Sequence, residues 1–297
     1  MNQSIKSYDI EGLTNIVADA GQPSFRSRQI CEWLYGRGVR SYAEMTNLPK
    51  TLREFLTERY PLYPAHIIDR QISSDGTRKY LIGFEDGVNV ETVGIPAENR
   101  LTVCFSTQAG CAMRCSFCAT GQGGFTRNLL VGEILDQVQL VAEDFGQRVS
   151  NVVGMGQGEP FANYDATLGA LHFLNDPRCL GIGARHITVS TCGIIPGIER
   201  FAGEPEQFTL AVSLHSAIQT TRDAIMPGAS SFPLDRLKAA LVSYADQTGR
   251  RPTFEYVLID GVNDDDEHLD ALVDYCSGML VHVNLIPLND IPGSRYT

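Results

Sequence analysis

From residue 101 onward, short β-rich runs alternate with amphipathic stretches, and this alternation restricts the fold more than any other feature of the chain. The runs are LTVCFS, SNVVGM, HITVST, FTLAVSL, TFEYVLI and LVHVNLI, and helical spacing of apolar residues occupies 131–145, 164–175, 233–246 and 265–276. Strands joined by crossover helices predict an α/β fold with a parallel sheet, rolled or open, whose functional loops follow the strand C-termini. Upstream, residues 9–60 carry helical periodicity in FRSRQICEWLYGRGV and LPKTLREFL, with Pro49 as a start signal. Residues 77–95 alternate apolar and polar around Asp86-Gly87, a dipeptide suited to a tight hairpin. The organisation expected is a helical unit over 1–75, a β-hairpin linker over 76–96 and an α/β core over 97–297.

No apolar run reaches the roughly 18 residues needed to cross a bilayer, and MNQSIKSYDIEG lacks a signal-peptide layout. The expectation is a cytoplasmic protein with no membrane partner. Eight cysteines in 297 residues do not form a secreted disulfide framework, because Cys31, Cys104, Cys179, Cys192 and Cys276 are scattered. In a reducing compartment, clustered thiols are metal ligands or catalysts. The net charge of −11 argues against a nucleic-acid partner, although Arg26, Arg28, Arg37, Arg40, Lys50 and Arg53 gather near the N-terminus and leave room for a local basic face.

The remaining cysteines form Cys111-x3-Cys115-x2-Cys118 within GCAMRCSFCATGQGGF, just after the first core strand. A structural zinc site closes with four protein ligands, so this loop would need a distant Cys or His to complete it. A [4Fe–4S] cluster normally takes four thiolates, and with three it keeps one iron open to a substrate. S-adenosylmethionine (SAM) binds such an open iron in radical-SAM enzymes.

This stretch, with NVVGMGQGEP at 151–160 and VNLIPLN at 283–289, resembles the RlmN/Cfr family of radical-SAM RNA methyltransferases from about residue 20 to the end. The resemblance implies a partial (β/α)6 TIM-like radical-SAM barrel holding a [4Fe–4S] cluster and SAM, with an N-terminal helical accessory domain that assists RNA binding. Matched residue by residue, Cys111, Cys115 and Cys118 are the cluster ligands. Gly158 and Glu159 match the contact to the SAM amine, and Ser190, Ser213, Leu214, His215 and Asn289 match its other SAM contacts. Glu91 matches a catalytic acid/base, and Cys104 matches a cysteine that attacks a protein–RNA thioether to form a disulfide and release the product. Outside the family order each of these has a plain alternative: strand-end hydroxyls, a core histidine, a turn asparagine, an outward carboxylate, a buried small hydrophobe.

In the family, one SAM methylates a cysteine near the C-terminus, and a 5′-deoxyadenosyl radical from a second SAM abstracts hydrogen from that methyl group. The carbon radical then adds to adenosine. The implied substrate is carbon-2 of adenosine in 23S ribosomal RNA, with transfer RNA as a further substrate and a flavodoxin or ferredoxin as electron donor. GCAMRCSFCATGQGGFTRNL, including Arg127 and Asn128, is closer to the carbon-2 branch than to the carbon-8 branch. One departure stands out: no cysteine follows Asn289, and the sequence given closes on NDIPGSRYT. The expectation drawn is a C-terminally truncated chain. The alternatives are a radical-SAM protein that cleaves SAM without methylating RNA, and a non-enzymatic RNA-binding remnant.

Overall fold

A computed structural model describes residues 4–289 and residue 296. The Pro/Gly stretch that closes the sequence, on which the expectation of truncation rests, lies outside the described residues apart from Tyr296. In chain order the regular elements begin with helices α1 (Ile10–Asp19), α2 (Phe25–Cys31) and α3 (Lys50–Arg59). Strands β1 (His66–Ile72), β2 (Arg78–Gly83), β3 (Asn89–Ala97), β4 (Arg100–Cys104) and β5 (Gln108–Gly110) follow. Then come α4 (Ala119–Gln122), β6 (Phe125–Asn128), α5 (Val131–Phe145), β7 (Asn151–Gly154), α6 (Tyr164–Asn175) and β8 (Ile187–Thr191). The chain continues through α7 (Ile195–Ala202), β9 (Thr209–Ser213), α8 (Gln219–Ile225), α9 (Leu234–Thr248), β10 (Thr253–Leu258), α10 (Asp266–Cys276) and β11 (His282–Pro287).

The elements gather into two compact units, each drawn from several stretches of sequence. The first comprises Met1–Ser106, Asn128–Gly156 and Asp165–Ile187. Its strands run in the order β1-β2-β3-β4-β7, antiparallel until β4, which pairs parallel with β7. The Asp86-Gly87 hairpin forms as expected, with Gly87 at φ +81° and the Phe84 amide donating to the Val88 carbonyl at 2.9 Å. The helical periodicity read over 9–60 agrees with helices that end at Arg59, and the rest of the expected helical unit over 1–75 holds a strand, β1 at His66–Ile72. That strand is almost wholly exposed, so no face of it shows apolar alternation; pairing with β2 holds it in place.

Helix α5 coincides with the stretch read from the sequence. Ile134, Leu135, Val138 and Val141 make one buried stripe, each side chain contributing about 1.5–3 kcal/mol through its burial. The Leu130 amide donates to the Glu133 carboxylate at its start, and Gly146 at φ +60° ends it. Its last turn is tied to β1 and β2 through Asp144, which accepts from Arg70, from Arg78 at 2.6 Å and from the Tyr80 hydroxyl at 2.7 Å. Burial would raise the Asp144 carboxyl, but Tyr80, Arg78 and Arg70 together hold it below the usual range.

Most of the N-terminal basic residues have partners. Arg37 pairs with Glu32 at 2.8 Å, Arg40 with Glu143 at 2.9 Å and Lys50 with Glu54 at 3.6 Å. Arg26 donates to Gln29 and Asn47, and Arg53 to the Ala43 carbonyl.

The second unit comprises Thr107–Arg127, Gln157–Tyr164 and Thr188–Thr297. Strands β8, β9, β10 and β11 run parallel in that order, while β5 and β6 form a separate two-stranded ribbon. The strands β4, β7, β8, β9, β10 and β11 are those expected from the sequence, and the described pairings among them are parallel. Among the described residues no helix is long and apolar enough to cross a membrane.

Candidate active site

In the second unit, the β5–β6 ribbon closes the base of the cysteine loop. The Cys111 amide donates to the Gly124 carbonyl at 2.8 Å, and Gly110 sits at φ +74° against it. A Cβ on Gly110 would lie 2.0 Å from the Gly124 carbonyl oxygen, so the neck admits only glycine. Gly110→Ala is therefore expected to cost about 1–3 kcal/mol and to lower iron uptake. Urea unfolding and iron analysis check this, and unchanged values in both would contradict it.

Within the loop, the Cys118 amide donates to the Cys115 carbonyl at 3.1 Å. Further along the same unit, the Ser116 amide donates to the Ile225 carbonyl and the Gly228 amide to the Met113 carbonyl. Cys111, Cys115 and Cys118 are all half-buried and pack against Met113, Phe117, Cys192, Ile225, Met226, Ala229 and Ile259. Burial pushes the Cys115 thiol up to about 12, with Cys118, Cys111 and Glu159 adding to the shift and Arg222 opposing it. Cys111 is also raised, mainly by burial.

The donor set fits an iron–sulfur cluster better than a single ion. Three half-buried thiols on one loop can each hold one iron of a cube, whereas a closed zinc site takes four protein ligands.

The matched SAM residues lie in the same unit. Gly158 is at φ +99°, and a Cβ there would meet Gln108 at 2.5 Å. This close approach lets the Glu159 amide donate to the Gln108 side-chain oxygen at 2.8 Å. Glu159 is only 4 % exposed; its Oε1 accepts from the Phe161 amide at 3.0 Å and its Oε2 from the Cys192 amide at 2.7 Å. Burial raises its carboxyl, and the Cys192 and Phe161 contacts oppose the rise. Each oxygen retains acceptor capacity beyond these bonds.

Ser190 on β8 and Ser213 on β9 approach to 3.4 Å between their hydroxyls. Leu214 is fully buried, and its amide donates to the Glu255 carbonyl at 3.0 Å. His215 follows at φ +55°, its Nδ1 accepting from the Val257 amide at 3.0 Å while its ring meets Phe117 edge-on at 4.8 Å. Burial, with help from Arg222, lowers its imidazole to about 3, so the ring is neutral and Nε2 carries the proton. Asn289 lies exposed two residues beyond β11. Because β8–β11 are parallel, Ser190, Ser213, Leu214, His215 and Asn289 all stand at or just past the C-terminal ends of their strands, where such folds carry ligand sites.

Glu91 and Cys104 belong to the other unit. Glu91 is exposed on β3 and pairs with Lys79 at 3.1 Å, while its carbonyl accepts from the Ser106 hydroxyl at 2.6 Å. Cys104 ends β4, and burial raises its thiol to about 11 against an opposing bond from the Met155 amide. All eight cysteines are free thiols, so the disulfide that the resemblance attaches to Cys104 is not present in this structure.

Sequence reading passed over Cys192, buried beside Glu159 and within electrostatic reach of Cys115, and Arg222, wholly buried. Neither has a spacing partner in the sequence. Only the adjacency of Cys192 to Ser190 in VSTCG hinted at its place.

Comparison with known proteins agrees with this geometry. Residues 105–273 match the Radical SAM superfamily, and residues 4–61 match the ribosomal RNA large subunit methyltransferase N-terminal domain. A protein of Synechocystis sp. named as a probable dual-specificity RNA methyltransferase RlmN is 48% identical over 290 residues, which cover 98% of this chain and 82% of that protein. The chain belongs to the radical-SAM RlmN family. A Geobacillus kaustophilus protein with the same RlmN name is 45% identical over 99% of this chain and 81% of its own length. A crystal structure of a radical SAM methyltransferase from Sphaerobacter thermophilus superposes with a TM-score of 0.91 at 44% identity, covering 99% of this chain and 87% of that one. The fold is thus the mixed α/β radical-SAM fold with its parallel core, and the cofactors of this RlmN relative are a [4Fe–4S] cluster and SAM.

Proposed function

We propose that this radical-SAM RNA methyltransferase modifies carbon-2 of adenosine in 23S ribosomal RNA and in transfer RNA. The observation that carries the reading is the arrangement in one compact unit of a glycine-necked loop with Cys111, Cys115 and Cys118 and a buried carboxylate, Glu159. Relatives at 45–48% identity named for dual-specificity RNA methylation support it, as does the likeness of GCAMRCSFCATGQGGFTRNL to the carbon-2 branch. A match to methyltransferases over 98–99% of this chain disfavours a SAM-cleaving core without methylation.

When bound, the cluster supplies the electron that cleaves SAM. Cys111, Cys115 and Cys118 would each hold one iron, leaving the fourth open to SAM. Glu159 would hold the SAM ammonium through a charge-assisted bond. Ser190 and Ser213 offer hydroxyls, Leu214 a buried wall, His215 a neutral Nε2–H donor and Asn289 an exposed amide. Gly158 keeps the backbone close enough to Gln108 to aim Glu159. Glu91 would take a proton from the methyl-bearing intermediate, and the Cys104 thiolate would attack the carrier sulfur, so that an S–S bond forms as the C–S bond breaks and the electron pair leaves with the RNA-borne carbon, which takes up a proton. Residues 1–75 would hold RNA phosphates, with 76–96 linking them to the core at 97–297. Since Arg37, Arg40 and Lys50 already pair with carboxylates, that contact must break existing ion pairs or use Arg28 and main-chain donors. A flavodoxin or ferredoxin would reduce the cluster in the cytoplasm, where ribosomal RNA is modified.

The carrier cysteine that the family uses has no match after Asn289 in the sequence given. The test is therefore made in the organism's own cells: deletion of the gene is expected to remove 2-methyladenosine from 23S ribosomal RNA and transfer RNA. Nucleoside digests that keep 2-methyladenosine, or lose 8-methyladenosine instead, would overturn the assignment.

A further inference from the structure

Arg222 on α8 is fully buried, and no step above uses it. Its Nη2 donates to the Cys192 carbonyl at 2.6 Å and its Nε to the Leu214 carbonyl at 3.3 Å, while Nη1 is buried with no hydrogen-bond partner. Burying a guanidinium is costly even after relaxation, and an orphaned donor adds to that cost. Main-chain carbonyls alone do not offset such a cost.

The surroundings point to what does. Cys192, whose carbonyl holds the guanidinium, packs in one apolar cluster with Cys111, Cys115 and Cys118, and Ile225 of the same helix accepts through its carbonyl from the Ser116 amide inside the cysteine loop. The two carbonyls that hold the guanidinium belong to Cys192, whose amide orients Glu159, and to Leu214, one of the matched SAM contacts. Gly193, at φ +99°, leaves room for the group: a Cβ there would stand 3.2 Å from Nη2.

We propose that Arg222 is a positioning residue that supplies the fixed counter-charge of the three-cysteine site. This rests on the cluster reading above. The thiolates outweigh the positive core of a [4Fe–4S] cluster, and one-electron reduction buries a further negative charge. A guanidinium anchored by two carbonyls, with one donor edge unused, offsets that charge in a medium where it is poorly screened. It therefore favours the reduced cluster and raises its reduction potential.

The experiment compares Arg222→Lys and Arg222→Gln with the parent, each loaded with cluster, by redox titration read from the EPR signal of the reduced state. Lysine keeps the charge and glutamine keeps only a neutral donor. The Lys variant should stay within about twofold of the parent ratio of reduced to oxidised cluster at a fixed potential. The Gln variant should fall at least tenfold, a shift of ~59 mV for one electron. Equal shifts in both variants, or none in either, overturn the proposal. Should the Gln variant not fold, 15N-arginine labelling replaces it, on protein in which Arg114, the loop arginine directly before Cys115, is changed by Arg114→Lys so that its label does not interfere. Pulsed EPR of the reduced cluster is then expected to show a weakly coupled 15N nucleus, and its absence overturns the proposal. Iron and sulfide analysis of the parent keeps the two readings apart. A parent without a cluster overturns both, whereas a loaded parent indifferent to charge at position 222 overturns only this one.

Discussion

Replacing Cys115 with Ala should empty the site: iron should fall from about four atoms per chain in the loaded parent to less than about one, and SAM cleavage should drop at least ~100-fold. Changing a residue that only hydrogen-bonds to a metal's ligand already costs about 10–100-fold, and Cys115 would be a direct ligand. Its thiol packs on the cluster of Met113, Phe117, Ile225, Met226, Ala229 and Ile259, and the loop backbone is fixed by bonds that Ala retains. The apo variant should therefore melt close to apo parent, because a half-buried thiol lost from a packed loop behaves as a small hydrophobe. Cys276→Ala, at the end of α10 in the same unit, is the control and should keep its iron. Iron, sulfide and 5′-deoxyadenosine are measured on all three proteins. A Cys115→Ala protein that retains iron and cleaves SAM at the parent rate would refute the ligand assignment.

The sequence carried the core of this fold because the core is periodic. Helices α5 and α6 show an apolar stripe long enough to fix their ends, and β9 and β10 are buried runs that read as strands at once. Strand β1 was invisible because six of its seven residues are exposed and its stability comes from pairing with β2, a contact between segments. Helix α7 was missed because it is short and carries Pro196 and Gly197, which read as loop. The same contrast holds in the site. Cys111, Cys115 and Cys118 announce themselves by spacing, whereas Arg222 is one arginine in TTRDAIMP, brought to Cys192 by a fold that joins residues 30 positions apart. Net charge misled in the other direction: the basic N-terminal residues were legible, but the pairing of Arg40 with Glu143, 103 positions away, was not.

Glu159→Gln should weaken SAM binding by about 10- to 150-fold, the equivalent of losing a charge-assisted hydrogen bond of about 1.5–3 kcal/mol. The carboxylate is locked by two backbone donors, so a Gln side chain can serve only one of the Phe161 and Cys192 amides and turns its own N–H₂ toward the other. The variant should also unfold at lower urea, by about 1–3 kcal/mol. Separating that loss from a lost SAM contact requires the pH dependence. Burial holds the Glu159 carboxyl above the usual glutamate range, and an ammonium needs the ionised form. Parent affinity should therefore fall as pH drops through that raised value, while His215, already held near 3, stays neutral and contributes nothing. Apo stability runs the opposite way. A carboxyl whose folded-state value is raised contributes stability below its unfolded value and loses it as pH rises through the folded one. The SAM-induced rise in melting temperature should accordingly be larger at neutral than at mildly acidic pH in the parent, and flat in Glu159→Gln. Calorimetric titration and thermal melts across that range decide the matter. A parent whose SAM affinity ignores pH, or a Gln variant that binds as tightly as the parent, would remove Glu159 from the ammonium contact and leave it only the structural role its two amide bonds already define.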